Sequence, residues 1–409
     1  MIKLGLIGEK LTHSYSKMIH NYLGLEYSLI SLNNYEFKDF MERKEFVGIN
    51  VTIPYKEKVI PYLSFCDHKA SRIQAVNTVI NDNGQLRGYN TDYEGFRYLL
   101  IHEKIEVENK KVLVLGTGGT SKTIACVLDD LGAKKVYFAS RMKKENAFLY
   151  EEIKDLEVDI LVNATPVGMF PNVGKMAISL DQLKGLKTVV DVIYNPYNTQ
   201  LMLEAKKRKI KAVNGLSMLV YQALSSIELF LNKRYDKNDV ERITKKLKFD
   251  VLNLVLIGMP GSGKTTLANQ LALKTGKRIV DIDFEITEAE SSTITDVFNK
   301  KGEKYFRDLE TKIIKEQSTS SGIIIATGGG AVLKEENMDA LKANGLLIYV
   351  DRDIENIILD DKRPLSQTKE DLKRIYNERK DLYEKYADFI VKNNNGFSDV
   401  VDAVLNNIT

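Results

Sequence analysis

A chain of 409 residues, 44% hydrophobic and 28% charged, is long enough for two or three domains whose cores need no disulfides. Its 59 basic and 56 acidic side chains leave a net charge of +3, which argues against nucleic acid as a partner. Cys66 and Cys126 alone can build neither a zinc ribbon nor a disulfide framework, so a reducing, cytoplasmic location is expected. After His102 there is no histidine, so chemistry beyond that point must run without imidazole, and metal binding there falls to hard oxygen ligands. No apolar run approaches the roughly 20 residues that span a bilayer, so no membrane partner is expected. Met1–Gly8 lacks a signal-peptide layout and reads as a short buried strand.

Three strand–glycine–helix signals follow one another along the chain. The first is Leu4–Gly8 and the polar segment after it. The second is Val112–Leu115, then Gly116-Thr117-Gly118-Gly119 and a helix predicted over Ser121–Leu131. A polar, charged stretch around 232–239 and a short solvated helix over Val240–Lys248 mark a boundary. The third signal is Leu252–Ile257, then Gly258-Met259-Pro260-Gly261-Ser262-Gly263-Lys264-Thr265 and a helix predicted over Thr266–Lys274. Further strands are expected at Lys135–Ala139, Asp159–Asn163, Thr188–Val192, Gly322–Ala326 and Leu346–Val350. Each run is short and nearly continuously apolar, as in parallel sheets covered on both faces, and the alternation with helices predicts α/β architecture throughout.

Between a strand and a helix, Gly258-x4-Gly263-Lys264-Thr265 means a P-loop for a nucleoside triphosphate. Backbone amides of Gly261, Ser262 and Gly263 and the helix start at Thr265 and Thr266 would cradle ATP phosphates. Lys264 would reach the transferred phosphate, and the Thr265 hydroxyl would face Mg²⁺. The Gly116-x-Gly118-Gly119 turn, with Thr120 after it, reads as dinucleotide-binding. At the end of its next strand stand Ser140 and Arg141 where an acid would hold the hydroxyls of NAD, so charge favours NADP(H). A structural glycine turn with a basic solvated loop is the plainer alternative.

Downstream of the P-loop come Asp281-Ile282-Asp283, Gly302-Glu303-x-x-Phe306-Arg307, Gly328-Gly329-Gly330, Arg363-Pro364-Leu365 and Arg379-x-x-x-Tyr383. From about Asn253 to Val391 this order resembles shikimate kinase. The resemblance implies that Asp281 lies beside Mg²⁺ and that Asp283 holds shikimate and accepts the proton of the attacking hydroxyl. It also implies that Arg307 and Arg379 bind the substrate carboxylate beside Gly329, that Glu310 orients an arginine, and that Arg363 reaches the ATP phosphates from a lid. An arginine usual in that lid is missing from Asn356–Lys362, which leaves the adenine contacts open.

From about Lys3 to Leu231 a second set of motifs resembles shikimate dehydrogenase. These are Ser14-Tyr15-Ser16, Gly48–Lys56 with Asn50 and Thr52, Ala75–Thr78, Gly88–Asp92, Asn163–Met169, Asp191–Pro196 and Asn214–Gln222. The resemblance implies that Ser14 and Ser16 bind the substrate carboxylate and that Thr52, Asn77, Tyr194 and Gln222 complete the shell. Lys56 and Asp92 would be the catalytic pair, and Val192, Gly215 and Met218 would pack near the nicotinamide. The expected layout is a substrate domain at 1–100 completed by helices at 215–232, then an NADP-binding Rossmann domain at 101–214. A linker at 233–252 and a parallel P-loop kinase domain at 253–409 would follow. The whole would reduce 3-dehydroshikimate and then phosphorylate shikimate. Two alternatives stay open, a non-catalytic shikimate-binding half or a preference for quinate. Small molecules are the expected partners, and the oligomeric state is left open.

Overall fold

The computed structural model describes residues 2–11, 14–357, 368–394 and 396–408. By contact density the chain forms two compact units. One comprises Met1–Met169, Lys175–Tyr194 and Leu201–Leu247; the other comprises Phe170–Gly174, Asn195–Gln200 and Lys248–Thr409.

The first unit starts with β1 (Ile2–Gly8), α1 (Tyr15–Tyr22), β2 (Ser28–Ser31), α2 (Asn34–Arg43) and β3 (Phe46–Val51). After these come β4 (Phe65–Cys66), α3 (His68–Ile73), β5 (Thr78–Asp82), β6 (Gln85–Tyr89) and α4 (Thr91–His102). Their sheet has the order β2-β1-β3-β5-β6-β4. It departs from the parallel expectation, because β5 runs antiparallel to both β3 and β6. The cause is local. Asn83 and Gly84 both take positive φ, 52° and 87°, which makes a two-residue hairpin turn between Asp82 and Gln85.

A second sheet is parallel, with β7 (Lys111–Leu115), α5 (Gly119–Asp130), β8 (Lys135–Ser140) and β9 (Phe148–Leu149). Next along the chain are β10 (Leu156–Glu157), β11 (Ile160–Asn163), β12 (Leu183–Lys184), β13 (Thr188–Asp191), α6 (Gln200–Lys207) and β14 (Lys211–Asn214). The order is β14-β13-β11-β7-β8-β9, with β10 and β12 forming a separate pair. Along β7, Val112 and Val114 enter one core while Leu113 and Leu115 enter another. That is why the run is continuously apolar: both faces of the strand are covered. Helix α7 (Leu216–Leu231) returns to lie along α4, and Gly95 permits the approach, since a Cβ there would stand 2.7 Å from the Met218 carbonyl.

Helix α8 (Lys237–Val251) is longer than the short helix expected and carries the chain into the second unit. Its last turn is tied by Lys277, whose Nζ donates to the carbonyls of Phe249, Asp250 and Leu252 at 2.7, 3.2 and 3.2 Å. The second unit continues with β15 (Asn253–Ile257), α9 (Lys264–Thr275), β16 (Ile279–Asp281), α10 (Ile282–Glu290), α11 (Ile294–Gln317) and β17 (Ile324–Ala326). It closes with α12 (Glu335–Asn344), β18 (Gly345–Asp351), α13 (Lys369–Tyr386), β19 (Phe389–Lys392) and α14 (Phe397–Ile408). The five strands are parallel in the order β16-β17-β15-β18-β19, and alternate residues of β15 feed two separate cores. Among the described residues no helix is long and apolar enough to cross a membrane.

Candidate active sites

In the first unit, the loop after β3 carries Lys56 and the first turn of α4 carries Asp92. Lys56 Nζ donates to Asp92 Oδ2 at 2.6 Å, with both side chains mostly covered. The dinucleotide turn meets this pair. Gly116 has φ 103° and lies against the Ala164 carbonyl, and Gly118 is extended and caps α5. Helix α5 thus begins at Gly119, two residues earlier than predicted, with Thr120 in its first turn. A Cβ at Gly119 would meet Lys56 Cδ at 3.8 Å, an ordinary contact distance, so the turn lies directly beside the lysine.

Of the other residues expected to bind substrate, Asn77, Gln222 and Tyr194 lie nearest the pair. Asn77 is buried, and its Oδ1 accepts from the Thr91 amide at 2.7 Å, one residue before Asp92. Gln222 of α7 faces the same threonine, whose hydroxyl donates to Gln222 Oε1 at 3.5 Å. The Tyr194 phenol is pushed up to about 12, by burial first and then by Tyr15 and Asp92, so it stays a neutral hydroxyl near Asp92. The Tyr15 and Tyr194 rings lie 5.4 Å apart, which carries the shell to the serines. Ser14 caps α1 by accepting from the Ser16 amide at 3.2 Å, and Ser16 is buried in the first turn. Thr52 directly follows β3, its amide bonded to the Ile7 carbonyl. Val192 and Gly215 touch, and any Cβ on Gly215 would overlap the Val192 carbonyl. Met218 lies one turn further, buried against α4. Ser140 ends β8 with its hydroxyl bonded to the Met142 carbonyl, and Arg141 is exposed.

In the second unit the P-loop has φ 148°, 78° and 98° at Gly258, Gly261 and Gly263. Side chains are excluded from such geometry, which turns successive amides toward one anion. Helix α9 starts at Lys264, so Thr265 and Thr266 stand in its exposed first turn. Lys264 Nζ folds onto the carbonyls of Gly258 and Met259, at 2.9 Å each. Thr265 Oγ1 donates to Asp281 Oδ2 at 2.7 Å, while Asp281 Oδ1 accepts from the Asp283 amide at 3.0 Å. The Ser262 hydroxyl is buried, and its carbonyl accepts from Asn393 Nδ2 at 2.7 Å.

The Gly328-Gly329-Gly330 turn after β17 gathers the substrate residues. A Cβ at Gly328 would touch both Asp283 Oδ1 and Glu310 Oε1, at 2.7 and 2.8 Å. Arg307 passes over Gly330, and its Nη1 donates to Glu310 Oε2 at 2.8 Å. Glu310 is fully buried, and burial raises its carboxyl above the usual range while Arg307 works against that shift. The Gly329 carbonyl accepts from Arg379 Nη1 at 3.1 Å and from the Tyr383 hydroxyl at 2.5 Å. Gly329 also lies against Pro260 of the P-loop, so the arginine pair and the phosphate cradle adjoin. Arg363 lies outside the described residues. Tyr383 and Asn393 received no role from the sequence. The Arg379-x-x-x-Tyr383 spacing, which places both on one helix face, is a readable signal for the first; a polar residue at a strand end gives none for the second.

Known proteins share these features. The shikimate dehydrogenase substrate binding domain model matches residues 6–79, and the shikimate kinase model matches residues 260–409. The shikimate dehydrogenase (NADP(+)) of Clostridium perfringens is 38% identical over 265 residues, 60% of this chain and 97% of that protein. The crystal structure of shikimate dehydrogenase 1 from Peptoclostridium difficile is 38% identical, with a TM-score of 0.57 over 61% of this chain and 98% of that one. The Thermus thermophilus shikimate 5-dehydrogenase, solved in complex with NADP(H) and shikimate, is 28% identical, with a TM-score of 0.54 over 60% of this chain and all of its own. The chain belongs to the shikimate dehydrogenase family and carries a shikimate kinase domain in its C-terminal part.

Proposed function

We infer that this chain catalyses two consecutive reactions, reduction of 3-dehydroshikimate with NADPH and phosphorylation of the resulting shikimate with ATP. The observation that carries this reading is the presence, in one chain, of the Lys56–Asp92 pair beside Gly119 and of a P-loop adjoining Arg307 and Arg379. When bound, NADPH supplies a hydride, ATP supplies the γ-phosphoryl group, and Mg²⁺ offsets phosphate charge. The residues fit these groups. Gly116, Gly118 and Thr120 leave an open helix start for a diphosphate, and exposed Arg141 suits the 2′-phosphate. A threonine hydroxyl beside a carboxylate, Thr265 with Asp281, is the sparse hard-oxygen donor set that Mg²⁺ takes alongside water and phosphate oxygens.

In the first site Lys56 gives its proton to the ketone oxygen as charge develops there, and Asp92 holds the ammonium in place. Ser14 and Ser16 bind the carboxylate, and Thr52, Asn77, Tyr194 and Gln222 hold the ring hydroxyls. Val192, Gly215 and Met218 shape the nicotinamide side. In the second site Asp283 accepts the proton of the attacking hydroxyl. Arg307 and Arg379 hold the carboxylate, and Lys264 leaves its two carbonyls for the phosphates. Arg363 is proposed as a further phosphate ligand.

The test is a coupled assay. NADPH oxidation is followed with 3-dehydroshikimate, then ADP formation with shikimate and ATP. Lys56→Ala is expected to abolish reduction and keep phosphorylation, and Lys264→Ala to do the reverse. Full reductase activity in Lys56→Ala would overturn the assignment.

A further inference from the structure

Beneath the substrate shell of the first unit runs a series of buried polar side chains. Four residues after Ser16 comes His20, fully buried, with Nδ1 2.7 Å from the Ser16 carbonyl. A carbonyl can only accept, so Nδ1 carries the proton and the ring is the neutral tautomer with a bare Nε2. Burial lowers this imidazole to about 4, which keeps it neutral at working pH. The ring lies flat on Tyr27, with centroids 3.7 Å apart. Tyr27 in turn donates its hydroxyl to Asn50 Oδ1 at 2.6 Å.

From Tyr27 onward the donors can be counted. Asn50 accepts at Oδ1, and its Nδ2 donates to the Thr78 hydroxyl at 3.1 Å and to the Asn77 carbonyl at 3.3 Å. The Thr78 hydroxyl has one proton; its oxygen lies 3.1 Å from Asn77 Oδ1 and 3.2 Å from the Thr91 hydroxyl. Asn77 Oδ1 also accepts from the Thr91 amide at 2.7 Å, so both of its lone pairs are engaged. Asn77 Nδ2 gives one hydrogen to the Thr91 hydroxyl at 3.1 Å and keeps one. The carboxamide of Asn77 is therefore fixed in a single orientation, with one N–H left for a ligand.

We propose that Tyr27 and Asn50 are positioning residues of the reductase site, locking Asn77 so that it offers substrate an N–H and never a carbonyl. His20 holds Ser16 at the carboxylate end of the same series. A fixed donor at Asn77 and an acceptor at Asp92, on the residue after Thr91, together select a hydroxyl, which can accept from one and donate to the other. A ketone or ether oxygen at that place would offer the Asp92 carboxylate no hydrogen, leaving it the Lys56 ammonium alone. The proposal rests on Asn77 belonging to the substrate shell.

Tyr27→Phe tests it, since it keeps the ring and the stack on His20 and removes one oxygen. Losing the partner of a buried acceptor corresponds to about a 5- to 150-fold change. The KM for 3-dehydroshikimate is expected to rise by that factor, while kcat and the KM for NADPH stay within about twofold. In an Asn77→Ala background the same substitution should do nothing more, because the residue it acts through is gone. Thr78→Val, which removes the relay hydroxyl, should reproduce the rise, and Thr78→Ser should restore the original KM. An unchanged KM in Tyr27→Phe, or an equal rise with and without Asn77, would overturn the positioning role. Asn77→Ala alone separates the two readings. An unchanged KM there removes Asn77 from the shell and the proposal with it. A raised KM there, with none in Tyr27→Phe, removes the proposal only.

Discussion

A single methyl group at Gly330 should cripple substrate recognition in the kinase site without unfolding it. Gly330 has φ −99° and ψ −4°, which alanine adopts freely, so the backbone takes no strain. The added Cβ would overlap the guanidinium of Arg307, the far end of a flexible side chain that can give way. In giving way it must loosen its 2.8 Å bond to Glu310 and leave the place from which it meets a carboxylate. One hydrogen bond to a charged group contributes about 1.5–3 kcal/mol, which is roughly a 10- to 100-fold rise in KM for shikimate. Steady-state phosphorylation, with shikimate varied at saturating ATP and ATP varied at saturating shikimate, separates the effects. The KM for ATP should hold, and an uncharged carboxamide analogue of shikimate should be used equally by wild type and variant. An unchanged KM for shikimate, or an equal rise in the KM for ATP, would refute the placement of Arg307 on the carboxylate.

Asn393→Ala removes the donor to the Ser262 carbonyl, a buried acceptor inside the P-loop. Its loss costs about 1–3 kcal/mol, so the KM for ATP should rise at least fivefold while the KM for shikimate and the reductase rate stay unchanged. His20 gives the reductase half a pH dependence. Its folded value of about 4 lies below the unfolded 6.5, so the stability it contributes is complete above about pH 6.5 and is lost as pH falls toward 4. The loss is about 2 kcal/mol between pH 7 and pH 5 and reaches about 3 kcal/mol only below pH 4, visible as a falling denaturation midpoint. His20→Asn, which cannot take up the proton, should flatten that profile.

What the sequence revealed and what it hid divide along physical lines. β7, β11, β13 and β15 were readable because strands covered on both faces must be apolar at every position. The glycines at 116, 258, 261 and 263 were readable because only glycine takes their φ cheaply. The Asn83–Gly84 turn carried an equally good signal for the hairpin that makes the first sheet mixed. The two-residue strands β4, β9, β10 and β12 have no periodicity to detect. Glu310 is fully buried on an exposed-looking helix because Arg307 lies three residues before it on the same face, a pairing that composition does not show. Asn393 reaches a partner 131 residues away in the chain, and no local pattern announces a bond of that range.

Lys264, folded onto the carbonyls of Gly258 and Met259, places its ammonium on the backbone of the phosphate cradle itself. Two backbone carbonyls of the loop hold the ammonium beside the helix start, so little order has to be created there when nucleotide binds. Binding becomes an exchange of one set of oxygens for another around a retained ammonium. Such an exchange discriminates by strength. A single weak anion competes poorly with two carbonyls already in place, whereas a polyphosphate that engages the amides, the helix start and the lysine together displaces them. The same contact that shields the lysine at rest thus sets a threshold that favours triphosphate over inorganic phosphate.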